Sequence, residues 1–338
     1  MRRKEKTFSG VDKHINEILD LAYAFEKSQA LLAATQLDIF SVLGDNTMTA
    51  AEIAGEIGTN ERATERLMDA LCSLGLLGKS AGRYFNSTRS KEYLVKGKPG
   101  YMGGLQHVHY LMKSWEYLVN VVINGKPNEA LLYDYQNPER INSFLRYMHW
   151  RGSMQAPYVV KNIDFSKVSK VLDLGGGTGS YAMEFLKVKP DMRVVLFEKP
   201  EVIPVTRDYM EQEGFENRIE TIAGDFFNDN IGNNYDLVFI SFILENFSIL
   251  DNIKLLKKVH ESMNIGGKVI VQELLLDDER TSPQFNTLFS LNMLVNTNGG
   301  DTFTETDTWI MLREAWFNDI TVLKTEFDNS LIFGTKKI

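Results

Sequence analysis

The sequence predicts an α/β protein, in which a mainly helical winged-helix domain precedes a Rossmann-like, doubly wound and mostly parallel sheet. From residue 169 onwards, short apolar runs alternate with helical segments, which is the βαβ pattern of a parallel sheet. The first hundred residues have helical apolar spacing instead, followed by a short hairpin pattern. With 338 residues, the chain is long enough for two hydrophobic cores.

The N-terminal region, residues 1–104, carries helix and hairpin signals in the order of a winged helix. Apolar residues share one helical face over residues 15–22, and Thr49 forms a capping box with Glu52 at the start of a short helix. A second helix from Asn60 is expected to have an apolar side made of Ala63, Leu67, Ala70, Leu71 and Leu74. Residues 76–86 then predict a hairpin.

A winged helix could bind DNA, and its second helix would then be the element that contacts the bases. The exposed charges expected on that helix are three acidic and two basic: Glu61, Arg62, Glu65, Arg66 and Asp69. Such a surface repels phosphates, whereas DNA binding depends on neutralising them. The net charge of −8 points the same way. We therefore favour a structural or dimerising role, with no nucleic-acid partner, over a ligand-sensing DNA-binding regulator.

The remainder of the chain divides into a helical connector, residues 105–165, and a sheet domain, residues 166–338. The connector has no strand alternation. Five buried parallel strands are expected at residues 171–174, 193–198, 219–223, 237–241 and 268–273. The last two apolar runs, residues 320–324 and 331–336, predict an antiparallel pair. In sheets of this type, ligands bind at the carboxyl ends of the strands.

Composition predicts a cytoplasmic protein with no membrane partner. No apolar run approaches the roughly 18 residues that span a bilayer. The basic start, Met1-Arg-Arg-Lys, is not followed by the apolar core of a secretory signal. The single cysteine, Cys72, cannot form an internal disulfide, which suits a reducing compartment. No cluster of Cys and His or of closely spaced carboxylates indicates a metal site, so none is expected.

Three successive strand ends carry residues suited to a nucleoside cofactor. After the first strand, Gly175 and Gly177 let the backbone approach a ligand closely as the chain enters a helix. Glu198 ends the second strand, where an acid can bind both ribose hydroxyls. Asp225 follows the third, where it could accept from an adenine amino group beside Phe226. Together these features fit S-adenosylmethionine better than a dinucleotide, with expected contacts from Asp173, Gly175, Gly177, Glu198, Asp225, Phe226 and Ser241.

With these residues identified, the chain resembles the class I small-molecule O-methyltransferases of the caffeate, hydroxyindole and antibiotic-tailoring type. The resemblance rests on VLDLGGGTGS, FEKPEV, AGDFF, GGKVIVQE and MLVNTNGG, and it extends over nearly the whole chain. It implies methyl transfer from S-adenosylmethionine to a small aromatic metabolite, in a homodimer whose N-terminal domains intertwine. It also implies that the connector lines an acceptor pocket, with substrate contacts from Met148, His149, Met293 and Asn296.

The chain departs from this family at the general base. Relatives commonly use a His in a His-Asp-Trp stretch after the fourth strand, oriented by two carboxylates, whereas Glu245 stands at that position here. Glu273 matches one supporting carboxylate, but Thr302 stands where the other is expected. Because Glu245 has apolar neighbours, its pKa should rise towards the range useful to a general base. We predict that Glu245 is the catalytic base and that Glu273 supports it.

Several alternatives stay open at this level. Glu245 could be an ordinary loop carboxylate that faces water, and His149 could take over as the base or simply pack among aromatic residues. The acceptor could be an amine, a thiol, an activated carbon or an acidic phenol that needs no strong base. An enzyme of the same fold could also use the cofactor for a non-methylating reaction.

Overall fold

The computed structural model describes residues 13–129, 132 and 137–337. These residues form two compact units that divide between His109 and Tyr110. The predicted boundaries at residues 104/105 and 165/166 stay predictions. The start of the chain, residues 1–12, and residues 130–131 and 133–136 of the expected connector lie outside the described residues.

The first unit is mainly helical and contains one hairpin. Its elements are α1 Lys13–Ala22, α2 Ala24–Gln36, α3 Ile39–Leu43, α4 Ala50–Ile57, α5 Glu61–Ser73, β1 Leu77–Ser80, β2 Arg83–Asn86 and α6 Thr88–Tyr93. The predicted capping box is confirmed, since the Thr49 side chain accepts from the Glu52 N–H and the Glu52 carboxylate accepts from the Thr49 N–H. Strands β1 and β2 pair antiparallel, as expected for the hairpin.

The buried side of α5 differs in part from the expected one. Its buried residues are Thr64, Met68 and Leu71, whereas Ala63 is exposed. The expected apolar side is confirmed at Leu71, which is buried, and at Leu67, which packs half-buried against the same core. It was wrong at Ala63, because Thr64 faces the core instead. The α1 helix is present as predicted, but its apolar residues Ile15 and Ile18 remain exposed on the described part of the chain.

The second unit contains the remaining helices and a seven-stranded sheet. The helix α7, Leu105–Trp115, crosses the division between the units, and α8 Leu118–Asn124 and α9 Pro138–Lys161 follow it. The strands are β3 Lys170–Leu174, β4 Arg193–Glu198, β5 Ile219–Ala223, β6 Tyr235–Ser241, β7 Met263–Glu273, β8 Asn318–Lys324 and β9 Ser330–Thr335. The helices between them are α10 Ser180–Val188, α11 Ile203–Gln212, α12 Ile249–Ser262, α13 Gln284–Asn296 and α14 Glu305–Glu314.

The strand order is β5-β4-β3-β6-β7-β9-β8. The pairs from β5 to β7 are parallel, and β9 runs antiparallel to both β7 and β8, so the predicted fold class and the antiparallel end are confirmed. Neighbouring strand residues alternate between two cores, one on each face of the sheet. The chain order reverses direction between β3 and β6, and a crevice for ligands forms at such a point.

Candidate active site

A cavity of about 320 Å³ lies at the carboxyl ends of β3, β4 and β6, where the strand order reverses. Eight of the predicted site residues line it: Met148, Asp173, Gly175, Gly177, Glu198, Phe226, Ser241 and Asn296. The other five predicted site residues lie in the described part of the chain but do not line the cavity: His149, Asp225, Glu245, Glu273 and Met293. The cavity has the position that the strand order predicts for a cofactor.

The glycine loop between β3 and α10 forms one side of the cavity. Gly175 and Gly177 have left-handed backbones, with φ of 71° and 56°, which favours glycine. A Cβ atom on Gly175 would lie 2.4 Å from Cδ1 of Ile243, so the Ile243 side chain would have to move to admit one. A Cβ atom on Gly177 would meet no atom of the described residues within 4 Å, which leaves room for a ligand to approach the backbone.

Hydrogen bonds from two neighbouring elements hold the middle of this loop. The Gly177 N–H donates to Oε2 of Glu198 at 3.0 Å, and the Gly177 carbonyl accepts from Oγ1 of Thr206 at 2.6 Å. The other carboxylate oxygen of Glu198 accepts from the Lys199 N–H at 2.8 Å. Burial raises the pKa of Glu198, while these N–H donors lower it. Glu198 is therefore a carboxylate fixed at the end of β4, where ribose hydroxyls could donate to its remaining lone pairs.

Asp173 lies beneath the loop and is 1% exposed. Its Oδ2 accepts no hydrogen bond from the described residues. Burial raises the pKa of Asp173 to about 7, partly offset by the N–H of Ala182. An unpaired buried carboxyl oxygen costs free energy, so a ligand that donated to it would relieve this cost. The open backbone at Gly177 and this unpaired oxygen fit the cofactor that the sequence predicts.

Asp225 and Phe226 lie at the end of β5 with different surroundings. Phe226 lines the cavity and packs edge-on against Phe247, with ring centroids 5.7 Å apart. The Asp225 carboxylate is exposed and accepts from the Phe227 N–H at 2.9 Å and from Nδ2 of Asn228 at 2.7 Å. Its expected contact with adenine stays a prediction, since the side chain is bound to its own turn.

Glu245 and Glu273 form a buried pair beside the cavity. Glu245 lies in a 3-10 turn, Leu244–Asn246, directly after β6, and Glu273 ends the neighbouring strand β7. The two residues are 8% and 3% exposed, and their carboxyl groups lie close enough to shift each other's pKa. Oε1 of Glu273 also accepts from the Leu244 N–H at 2.9 Å. The alternative of a water-facing carboxylate at Glu245 is therefore wrong, because the turn points this side chain inwards.

The pair shares one proton because two adjacent buried carboxylates cannot both be charged at low cost. Burial raises the pKa of Glu245 to about 7, and the hydrogen bond from Glu273 and the charge of Arg151 lower it. The pKa of Glu273 is raised well above its ordinary value, first by burial and then by the charge of Glu245. Because both pKa values are raised, the pair keeps a proton near neutral pH and carries a single negative charge. Oε2 of Glu245 is buried and accepts no hydrogen bond from the described residues, so it can accept a proton.

Arg151 and Phe242 are among the cavity-wall residues that sequence reasoning did not predict. The guanidinium of Arg151 stacks over the Phe242 ring, 4.4 Å from its centroid. Phe242 has a left-handed backbone, with φ of 55°, which is uncommon for an aromatic residue and is found at functional sites. The spacing of Arg151 and Met148, three apart on one predicted helix, could have placed them on the same face. No local signal marks Phe242.

A chain of hydrogen bonds orients Asn296. Nε1 of Trp115 donates to Oδ1 of Asn292 at 3.0 Å, and Nδ2 of Asn296 donates to the same oxygen at 3.1 Å. Because an indole N–H can only donate, these two contacts define which end of each amide is the oxygen. Oδ1 of Asn296 therefore remains buried without a hydrogen bond from the described residues, in a side chain that lines the cavity.

The remaining predicted substrate residues have mixed positions. Met148 lies on the wall, and Met293 is 2% exposed and packed off it. The His149 ring stacks on Tyr209, with centroids 3.9 Å apart, so its expected contact with a substrate stays a prediction. Thr302, where relatives would have an acid, is 1% exposed.

Searches for a metal site and for a membrane span were negative over the residues that the structure describes. No group of three His, Cys, Asp or Glu side chains could hold a metal ion there. None of the helices in those ranges is long and apolar enough to cross a membrane.

Two family models match the chain. Residues 115–318 match the O-methyltransferase domain, and residues 19–96 match the O-methyltransferase dimerisation domain. Among curated proteins, the chain is 30% identical to 3-hydroxy-5-methyl-1-naphthoate 3-O-methyltransferase of Streptomyces sahachiroi, covering 94% of each chain. It is 28% identical to the tetracenomycin polyketide synthesis 8-O-methyl transferase TcmO of Streptomyces glaucescens, covering 95% of this chain and 96% of that protein.

The chain is also similar to solved structures of methyltransferases. PigF, determined with S-adenosylhomocysteine, has a TM-score of 0.88 and 28% identity, and the match covers 96% of this chain and 100% of that one. Human N-acetylserotonin methyltransferase in complex with S-adenosylmethionine has a TM-score of 0.89 and 27% identity, with 98% and 100% covered.

Proposed function

The chain belongs to the O-methyltransferase family and uses S-adenosylmethionine, and from that premise we propose that it methylates a hydroxyl group of a small aromatic metabolite after Glu245 has removed the proton. The observation that carries the proposal is the buried Glu245–Glu273 pair beside the cavity. Two relatives are named for aromatic or indole-type acceptors, a hydroxynaphthoate and N-acetylserotonin. Family membership favours methyl transfer over a non-methylating reaction.

On the cofactor side, we assign binding to the residues at the three strand ends. The backbone at Gly175 and Gly177 allows close approach, the Glu198 carboxylate can accept from the ribose hydroxyls, and the Phe226 ring offers an apolar surface to the adenine. S-adenosylmethionine supplies the methyl group as a good electrophile at its sulfonium carbon. The main task of the loop and of Glu198 is then to position the donor, which can supply a large part of the barrier reduction.

On the acceptor side, Glu245 receives the hydroxyl proton. The acceptor oxygen would form its bond to the methyl carbon as the sulfonium C–S bond breaks and neutral S-adenosylhomocysteine leaves, and the acceptor proton would pass to the carboxylate of Glu245, the chain neighbour of Asn246 on the cavity wall. We assign the shared proton to Glu273, which stabilises the Glu245 carboxylate beforehand by donating to it. The positive charge of Arg151 favours the same anionic state and a developing phenolate.

The cavity wall supports an aromatic acceptor that carries a hydrogen-bond donor. Phe144, Met148 and Phe247 provide apolar surface. Oδ1 of Asn296 can only accept, and it has no hydrogen bond from the described residues, so it suits an O–H or N–H group of the acceptor. A phenol matches both properties.

The N-terminal part supports assembly as a homodimer. Residues 19–96 match the dimerisation domain of the family. We assign dimerisation to residues 1–104, the pocket-lining connector to residues 105–165 and the catalytic domain to residues 166–338. A single cysteine is consistent with a cytoplasmic enzyme, and we propose no nucleic-acid or membrane partner.

The direct test measures methyl transfer from radiolabelled S-adenosylmethionine to hydroxynaphthoates and to N-acetylserotonin. We expect Glu245→Gln to lower kcat about 100-fold or more, because a glutamine cannot accept the proton. Glu273→Gln should lower kcat less, since an amide at position 273 can still donate to Glu245 and accept from the Leu244 N–H. Glu245→Gln should bind S-adenosylhomocysteine as the wild type does.

Two results would contradict the proposal. A Glu245→Gln enzyme with wild-type kcat would exclude Glu245 as the base. Methylation of amines or thiols but of no hydroxyl compound would exclude the acceptor class and leave the cofactor assignment intact.

A further inference from the structure

His149 contacts the glycine loop through hydroxyl groups. It lies on α9, and its Nδ1 is 3.0 Å from Oγ1 of Thr178 and 3.3 Å from Oγ of Ser180. Thr178 is 3% exposed and directly follows Gly177 in the loop, and its side chain lines the cavity. The His149 contact therefore reaches the cofactor cavity through one intervening hydroxyl group.

The His149 ring is itself held in place by α11. It stacks on the Tyr209 ring with an interplanar angle of 23° and a centroid distance of 3.9 Å. The same helix carries Thr206, which donates to the Gly177 carbonyl at 2.6 Å. Two consecutive loop residues are thus bound by side chains of two helices that contact each other through His149 and Tyr209.

The ring is uncharged at neutral pH. Burial lowers the pKa of His149, and the charge of Glu213 opposes this shift. An uncharged imidazole has one N–H donor and one acceptor nitrogen, and hydroxyl groups can supply the complementary partner to either. The contact with Thr178 is therefore compatible with both tautomers and needs no charge.

We propose that His149 is a positioning residue that holds the glycine loop, through the Thr178 hydroxyl, in the conformation that binds S-adenosylmethionine. A loop that is already in its binding conformation loses less entropy when the ligand binds. His149 should therefore affect the affinity for the cofactor and not the affinity for the acceptor. The inference rests on the cofactor, which the family shares, and is independent of the role of Glu245.

Two substitutions separate the hydrogen bond from the ring stacking. His149→Phe keeps an aromatic ring against Tyr209 but has no nitrogen, whereas His149→Asn keeps a polar group near the Nδ1 position and loses the ring. His149→Phe loses the imidazole contacts with the hydroxyl groups of Thr178, Ser180 and Ser153. We expect it to raise the Kd of S-adenosylhomocysteine about 3- to 10-fold in calorimetry, and His149→Asn to stay within about twofold of the wild type. At saturating cofactor, the acceptor KM of His149→Phe should change less than its Kd for S-adenosylhomocysteine.

A double-mutant cycle tests the connection through Thr178. Thr178→Val removes the hydroxyl group at similar volume. The double variant His149→Phe/Thr178→Val should bind S-adenosylhomocysteine no more weakly than either single variant. His260→Phe is the matched control, because His260 is also buried but packs against Trp316 and Phe317 off the cavity wall. Its Kd should equal that of the wild type.

Three results would overturn the proposal. The first is an unchanged Kd in His149→Phe, and the second is full additivity of the His149→Phe and Thr178→Val effects. The third is a rise in acceptor KM at constant Kd for S-adenosylhomocysteine, which would make His149 a substrate contact. Thermal melts of each variant confirm that it is folded at the temperature of the titration.

Discussion

Two carboxyl groups buried against each other are the least expected feature at the scale of single residues. Burying one charged carboxylate is costly, and a second adjacent one adds repulsion. The cost is reduced here because one shared proton leaves a single negative charge, with Arg151 nearby. Glu273 also accepts from the Leu244 N–H, which fixes the turn that carries Glu245. Removing either carboxyl should therefore change both catalysis and stability.

The first prediction concerns the pH dependence of catalysis. Only the carboxylate form of Glu245 can accept a proton, so kcat should rise with pH through a midpoint near the pKa of about 7. Glu273→Leu removes a hydrogen bond that lowers the pKa of Glu245, so its midpoint should move to higher pH, whereas Glu273→Gln should keep the wild-type midpoint. Initial rates between pH 5.5 and 9.5 at saturating substrates provide the measurement. A wild-type midpoint below pH 5.5 would contradict the shared-proton pair.

The second prediction concerns stability. The pKa of Glu245 is raised in the folded state from an ordinary value of 4.5 to about 7. As the pH rises, Glu245 therefore loses its proton at a lower pH in the unfolded chain than in the folded one. Its contribution to the free energy of unfolding is fully present below pH 4.5 and is lost between pH 4.5 and about 7. Each pKa unit corresponds to about 1.4 kcal/mol. We expect the difference between the Tm of Glu245→Gln and the Tm of the wild type to rise by several degrees in favour of the variant between pH 4.5 and 8. If the Tm of both proteins depends on pH in the same way, the assignment is refuted.

The third prediction concerns the acceptor contact of Asn296. Asn296→Leu removes the oxygen that we assign to the acceptor contact, while Trp115 can still donate to Asn292. We expect the acceptor KM to rise about 3- to 10-fold, the loss of one hydrogen bond, with an unchanged Kd for S-adenosylhomocysteine. Acceptors that keep the reacting hydroxyl but have no second O–H or N–H group should not distinguish the variant from the wild type. If they do distinguish it, the contact has been assigned to the wrong atom.

At the scale of secondary-structure elements, α9 connects the two halves of the site. Its 24 residues carry Met148 and Arg151 to the cavity wall and His149 to the glycine loop. Gly152 lies where α9 crosses the start of α10: a Cβ atom at that position would be 3.1 Å from Cβ of Ser180. Glycine lowers helix stability, so its presence here is explained by this close approach.

The fourth prediction tests that approach. Gly152→Val should push α9 away from Ser180 and disturb the loop, raising the Kd of S-adenosylhomocysteine at least about 10-fold, since a steric overlap of this kind costs typically 1–3 kcal/mol. The matched control is Met154→Val, which puts the same β-branched residue at a half-exposed position of the same helix. If both variants bind equally well, the crossing tolerates a side chain and the explanation fails.

The elements show which parts of the site local sequence could predict. The strand ends at Leu174 and Glu198 could be predicted from apolar runs and their breaks, and the residues predicted there for the cofactor lie on the cavity wall. The start of β7 at Met263 was missed, because Gly266 and Gly267 read as a turn although Met263 pairs with Tyr235 across a bulge. Which α9 residues face the cavity depends on how helices pack against the sheet, and no local pattern contains that information.

At the scale of the whole molecule, the exposed apolar face of α1 remains to be explained. Ile15, Ile18 and Leu21 recur every three residues and are 51%, 66% and 76% exposed. A contiguous exposed apolar stripe usually marks an interaction surface. The family match to a dimerisation domain begins at residue 19, within α1, which makes a second copy of the chain the expected partner.

The fifth prediction follows from burying that stripe in a dimer. In the double variant Ile18→Asp/Leu21→Asp, the molar mass from light scattering should fall from twice the 38.5 kDa of one chain towards that of a single chain. Burying two carboxylates in an apolar interface costs more free energy than leaving them exposed in a monomer. Ile265→Asp is the control, since Ile265 is 74% exposed on β7 and lies outside the dimerisation match. The Ile265→Asp variant should stay dimeric.

If the double variant remains a dimer while still melting cooperatively, then the stripe is not the interface, and other parts of residues 19–96 are the expected interface. If it becomes a monomer and also loses methyl transfer, with Glu245 untouched, then the site depends on assembly as well as on the chemistry of its own chain.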